Sequence, residues 1–187
     1  MPLEPANPAA TFGYLSTWDT PEHGCLGGYL VVSSLGRPLE FHCTAPIRPS
    51  RAQQILFGPT LWPFVMGEQI GGALLAEAKL RPQVILVDHV ATLCLRPKVA
   101  SAMAYWKVAA ADGAGVRPSE SELLRVGEWS FEVAAGYDSD RDTANSLLTI
   151  LSQHVELPEP FERIHQAIRE AQRLGGPGEP DAYEHAA

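Results

Sequence analysis

The stretch from Gly27 to Thr44, Gly-Gly-Tyr-Leu-Val-Val-Ser-Ser-Leu-Gly-Arg-Pro-Leu-Glu-Phe-His-Cys-Thr, constrains the fold more than any other part of this chain. Gly28 to Ser34 is rich in β-branched and aromatic residues, Gly36 supplies a turn, and Leu39 to Thr44 alternates Leu39, Phe41 and Cys43 with Glu40, His42 and Thr44. A period of two marks a strand whose two faces meet different surroundings. The segment therefore predicts a hairpin that buries Leu39, Phe41 and Cys43. Thr11 to Trp18, with Phe12, Tyr14, Leu15 and Trp18, predicts a strand ahead of it, and Asp19 to Gly24 supplies the intervening turn.

After the hairpin the period changes. Ser50 is placed to cap a short helix through Phe57, which Gly58-Pro59 ends or bends. Between Pro63 and Leu80 the residues Met66, Ile70, Ala73, Leu74 and Ala78 recur at helical spacing, with Glu68, Glu77 and Lys79 as the only charges. A helix that apolar is covered on more than one side. Gly67 and Gly71 fall on one face of it and open a shallow groove for another backbone. The protein's own sheet is the simpler occupant of that groove, and a second subunit is the other; Trp62, Met66, Gly67, Ile70, Gly71 and Leu74 are the candidate interface.

Val84-Ile85-Leu86-Val87 predicts a strand and Thr92 to Arg96 a weaker one, giving a second hairpin that turns at His89-Val90-Ala91. Ala100 to Ala111 is alanine-rich and predicts a helix, while Ser119 and Glu122 match a capping box for another through Val126. Trp129 to Ala135 predicts a strand. A helix carrying Ala144, Leu147, Leu148, Leu151 and Val155 on one side follows, and Pro160 opens a last helix with Phe161, Ile164, Ile168 and Ala171 inward. The expected organisation is a lead-in over residues 1–10, a single α+β domain over 11–174 and a tail over 175–187. Its sheet is expected to be largely antiparallel, of about five to six strands, with a long central helix and two C-terminal helices.

At the level of layout this order resembles the roadblock and longin modules of the profilin-like group, where a hairpin with a Gly turn precedes a long helix and three further strands. The resemblance spans Gly27 to Val155, interrupted by the segment from Pro97 to Glu128. It implies a homodimeric, protein-binding scaffold without catalysis.

Charge and composition point the same way. Fourteen basic and 22 acidic residues give a net charge of −8, which repels a phosphate backbone, so nucleic acid is not an expected partner. No apolar run approaches the roughly 20 residues needed to cross a bilayer, and the N-terminus lacks a basic region before an apolar core, so no membrane partner and a cytoplasmic location are expected. The three cysteines, Cys25, Cys43 and Cys94, form no Cys-x-x-Cys pair and are read as reduced thiols. No cofactor is expected; Gly27-Gly28 precedes a strand instead of opening a helix, so it cannot present amide groups to a phosphate.

A second class of function competes with the scaffold. Cys43, Asp88 and His89 have the residue types of a nucleophile, an orienting carboxylate and a base, and His42, Asp88 and His89 those of a metal site. Either set would make the chain a hydrolase or a metal-dependent enzyme. Against the first, alternation places Cys43 in the core. Glu68, on a nearly uncharged helix, is a further acid–base candidate that is more simply a surface residue. His165 lies on the apolar side of the last helix, where a hydrogen-bonded core or edge histidine is the simpler reading, and His23 and His154 flank turns.

Overall fold

Strand β1 (Thr11–Thr20) forms the axis of the molecule, with partners of opposite direction on its two sides. In the computed structural model, which describes residues 10–107 and 123–174, it pairs antiparallel with β2 (Gly24–Ser33) and parallel with β4 (Val84–Val87). β2 pairs in turn with β3 (Pro38–Cys43) at one edge. Beyond β4 lie β5 (Ala102–Lys107), again parallel, then β7 (Trp129–Val133) and β6 (Leu123–Val126), both antiparallel to their neighbours. The result is a mixed α+β fold with a seven-stranded sheet in the order β3-β2-β1-β4-β5-β7-β6.

This corrects the expected sheet of five to six largely antiparallel strands. The apparent second hairpin is a crossover: Val90–Lys98 is a 3-10 segment, and it returns the chain so that β5 runs parallel to β4. The alanine-rich run expected to be helical contains β5 instead. Ala102 and Ala104 pack on one side of the sheet and Met103 on the other, and burial on both faces overrides alanine's helical preference. Leu123–Val126, expected to end a helix, is β6, while Ser119 and Glu122 lie outside the described residues, as do residues 1–9 and 175–187.

Helices cover both faces. On one lie α3 (Asp138–Leu151) and α4 (Glu159–Leu174), whose Leu148, Leu151, Phe161 and Ile164 pack against Phe12, Tyr14, Leu30 and Leu86. On the other lies a π-helical segment, Pro63–Gly71, continued by α2 (Gly72–Glu77), whose Met66, Ile70 and Leu74 pack against Leu15, Val31 and Ile85. Gly27 and Gly28 explain how both layers close on β2. A Cβ at Gly27 would collide with Ile70, and one at Gly28 with Ile164, so consecutive residues admit a helix from each side.

The hairpin is present, with Gly36 at φ 73° in its turn, but its edge strand faces the other way from expectation. Leu39, Phe41 and Cys43 are exposed, whereas Glu40 and His42 are half-buried. Glu40 accepts hydrogen bonds from the Lys79 and Leu80 amides and from His42. It thus holds the chain leaving α2 against β3, a job that requires the polar side of the strand to point inward. Ser50 caps α1 (Arg51–Phe57) as expected, in a full capping box with Gln53.

Candidate functional site

Ligands of open sheets with parallel strands gather outside the carboxyl ends of those strands, where neighbouring connections diverge. Here that place is the end shared by β1 and β4. The ladder pairs Leu15 with Val87, so the next residues, Ser16 and Asp88, stand side by side. Alternation along β1 puts Phe12, Tyr14 and Ser16 on the face covered by α4. α4 in turn brings His165 over the same point.

The three side chains meet at one oxygen. Ser16 is fully buried, and its hydroxyl donates to Asp88 Oδ2. His165 Nε2 lies 2.7 Å from Ser16 Oγ and 3.7 Å from Asp88 Oδ2. The second carboxylate oxygen, Oδ1, accepts the Thr17 amide at 3.1 Å. Trp18 tilts against the imidazole with ring centroids 4.2 Å apart. The side chains of Asp88 and His165 remain 15% and 37% exposed, so solvent reaches both charge-bearing groups while the hydroxyl between them is sealed.

Proton positions follow from acceptor strength. A carboxylate is the stronger acceptor available to the Ser16 hydroxyl, so the serine proton is directed to Asp88. His165 must then donate its Nε2–H to Ser16 Oγ, which leaves Nδ1 as the nitrogen with the free lone pair. Ser16 is therefore a bridge and not a nucleophile. The imidazole is the basic group, and Asp88 supports its positive charge through the bridging hydroxyl.

The residues proposed from sequence are dispersed relative to this point. Cys43 is level with Gly28 and hence Ser16, but β3 is three strands from β4, about 14 Å at ~4.8 Å per strand. His42 is equally remote and is paired with Glu40 at 2.7 Å. His89 accepts the Ala91 amide through Nδ1 and caps the 3-10 segment; burial lowers its pKa, with Asp88 opposing. Neither the cysteine-based nor the His42-based set assembles, and among the described residues no group of three or more His, Cys, Asp or Glu is placed to hold a metal ion. Asp88 alone joins the site. Glu68 is an exposed surface residue 3.5 Å from Lys98.

The candidate interface is also accounted for inside the chain. Met66, Ile70 and Leu74 are buried against the sheet, Gly67 faces Cys94 and the Ala91 carbonyl, and Gly71 faces Leu95 and Leu15. Trp62 remains 41% exposed. Sequence reasoning missed Ser16. Its one signal is polarity at an alternate position of an otherwise aromatic face, Phe12, Tyr14, Ser16, Trp18.

No family model matches the chain, and no curated protein does. Solved structures do. Endonucleases V are among them. The Ciona intestinalis enzyme, bound to a 23-mer DNA containing an inosine, has a TM-score of 0.49 at 11% identity over 88% of this chain and 86% of its own. The Bacillus subtilis enzyme has a TM-score of 0.49 at 11% identity over 90% and 85%, and human ENDOV has 0.45 at 15% over 91% and 88%. The neighbours are thus nucleases, two of them in complexes with DNA, and not the non-catalytic, roadblock-like, self-associating scaffolds binding protein and no nucleic acid that the sequence led us to expect. Mixed pairing around β1 is the physical reason the roadblock layout does not hold. At these identities and TM-scores the likeness assigns no role to this chain, and chemistry is read from the site itself. No helix among the described residues is long and apolar enough to cross a membrane.

Proposed function

We propose that the chain is a hydrolase whose general base is His165, positioned by Ser16 and Asp88. The observation that carries this reading is the convergence of Asp88 and His165 on the buried Ser16 hydroxyl at the carboxyl ends of two parallel strands. A polar trio of this kind adds little to a face otherwise built of Tyr14, Leu86, Phe161 and Ile164, but it equips an imidazole to take and return a proton.

The step balances with water as nucleophile. His165 Nδ1 takes one proton as the water oxygen bonds to the electrophilic carbon or phosphorus. The resulting imidazolium keeps its Nε2–H on Ser16, whose hydroxyl proton stays on Asp88, so the new charge is answered by the carboxylate through one intervening oxygen. Trp18 presents its ring to the same cation. When the bond to the leaving group breaks, Nδ1–H supplies that group's proton and the base is restored.

The test is turnover by the purified protein on p-nitrophenyl acetate, bis-p-nitrophenyl phosphate and an inosine-containing 23-mer DNA of the kind bound by the Ciona enzyme. His165→Gln should lower kcat about 100-fold or more, the usual share of a positioned base, with the melting temperature unchanged. Wild-type protein inert toward the whole panel, or a fully active His165→Gln variant, would overturn the assignment.

A further inference from the structure

At the opposite end of β4 from Asp88 the structure holds a cavity of about 740 Å³, bounded by α2, the amino end of β4 and the end of the 3-10 segment. Small-molecule sites run to roughly 300–1,000 Å³, mostly apolar with a few polar groups that fix orientation. Leu75, Leu80, Ile85, Leu95 and Val99 provide the apolar wall here. Among the described residues the formal charges lining it are Arg81 and Lys98 and no lining residue is Asp or Glu, in a chain where acidic residues outnumber basic ones 22 to 14.

A second observation is independent of charge. Three glycines lie along the π-helical segment and α2, where glycine is the poorest helix former after proline. Gly67 and Gly71 are demanded by close neighbours, but among the described residues a Cβ at Gly72 would meet nothing nearer than the Gly67 carbonyl at 3.8 Å and Leu95 Cδ2 at 3.9 Å. Gly72 has helical dihedrals, φ −60° and ψ −43°, so neither backbone nor internal packing calls for glycine there. What its missing side chain leaves open is the cavity it lines.

We propose that this cavity binds one small amphipathic anion, an apolar body carrying a single carboxylate or phosphate head. The body lies along Leu75, Ile85 and Leu95 above Gly72, and the head meets Arg81 and Lys98. Arg81 is fixed chiefly by an Nη1 hydrogen donated to the Ala78 carbonyl, with the Leu75 and Leu80 carbonyls 3.5 and 3.4 Å from the same nitrogen, all neutral acceptors. Lys98 reaches Glu68 at 3.5 Å across an exposed pair, a weak contact that an incoming anion can replace. Glu40, which accepts the Leu80 amide, does not line the cavity, and its carboxylate is occupied by His42, Lys79 and Leu80. The site uses neither Asp88 nor His165, so it is independent of the hydrolase reading.

Isothermal titration of the full chain with octanoate, octyl phosphate, octanol and octylamine tests this. One or both anions should bind saturably with a single site, on the order of tenfold or more tighter than octanol or octylamine, as a charge-assisted contact requires. The tighter of the two anions assigns the head group. Gly72→Leu should abolish binding with the melting temperature unchanged or raised, Gly72→Ala should retain it, and Lys98→Gln should weaken the anions but not octanol. Absence of saturable anion binding up to millimolar concentration, octanol binding as tightly as octanoate, or wild-type affinity in Gly72→Leu would each overturn the proposal.

Discussion

Asp140 and Asp88 are both carboxylates drawn toward the interior, and the company each keeps separates a structural charge from a chemical one. Asp140, 3% exposed in the first turn of α3, accepts both Nε and Nη2 of Arg96 and the Met103 amide at 3.0 Å. Arg96 also donates to the Val99 carbonyl and lies 4.3 Å from the centre of the Tyr137 ring. That hydrogen bonding to Asp140 raises the Arg96 pKa against the opposing effect of burial. The pair ties the β4–β5 crossover to α3. Asp88 has a hydroxyl and an amide as its close donors, and its ionisable partner, His165, can change charge. A carboxylate answered by a fixed cation holds a fold together, while one answered through a hydroxyl by an imidazole can respond to a reaction.

That contrast is breakable. Asp140→Ala leaves the part-buried Arg96 guanidinium without its carboxylate and should cost about 2–3 kcal/mol, less than the loss of a partner from a fully buried pair, read by chemical denaturation. A loss below about 1 kcal/mol would put Asp140 in the same class as Asp88. Asp88→Asn keeps an acceptor for Ser16 but removes the charge. It should lower kcat on the hydrolysed substrate about 10- to 100-fold, by analogy with carboxylates that orient metal-bound histidines, with stability almost unchanged. A stability loss as large as that of Asp140→Ala would make Asp88 structural.

Glu40 sharpens the comparison from a third position. Its pKa is pushed down to about 2, chiefly by the hydrogen bond from His42 and then by the Lys79 amide. Because the folded-state value lies below that of the unfolded chain, its stabilisation is complete above the ordinary carboxylate range and is lost as pH falls toward about 2. Glu40→Gln should destabilise the protein by about 1–2 kcal/mol at neutral pH and flatten the acid limb of the stability curve. An unchanged limb would show that the amides, and not the charge, fix this edge.

Local pattern carried the reading where local forces decide. Aromatic and β-branched composition located β1 and β2, alternation located β3, Ser50 announced α1, and the spacing of Phe161, Ile164 and Ile168 announced α4. It failed where the deciding partner is remote. Nothing within Ala102–Lys107 says that both faces are covered, and nothing in Leu39-Glu40-Phe41 says that α2 will present bare amides to Glu40. The site is the extreme case, because Ser16 is 72 positions from Asp88 and 149 from His165. Asp88 was legible as a polar strand end and His165 as an edge histidine, but their meeting point was not.

Those separations also say when, during folding, the site comes into being. The β1–β2 hairpin closes over few residues, whereas the β1–β4 pairing and the docking of α4 must each close a long loop, which contact-order arguments place among the slow events. Trp18 sits on the early strand and His165 on the last helix, with their rings 4.2 Å apart. Quenching of indole emission by that imidazole would time the final assembly step and not the initial collapse, so the residue that flanks the site doubles as a clock for its completion.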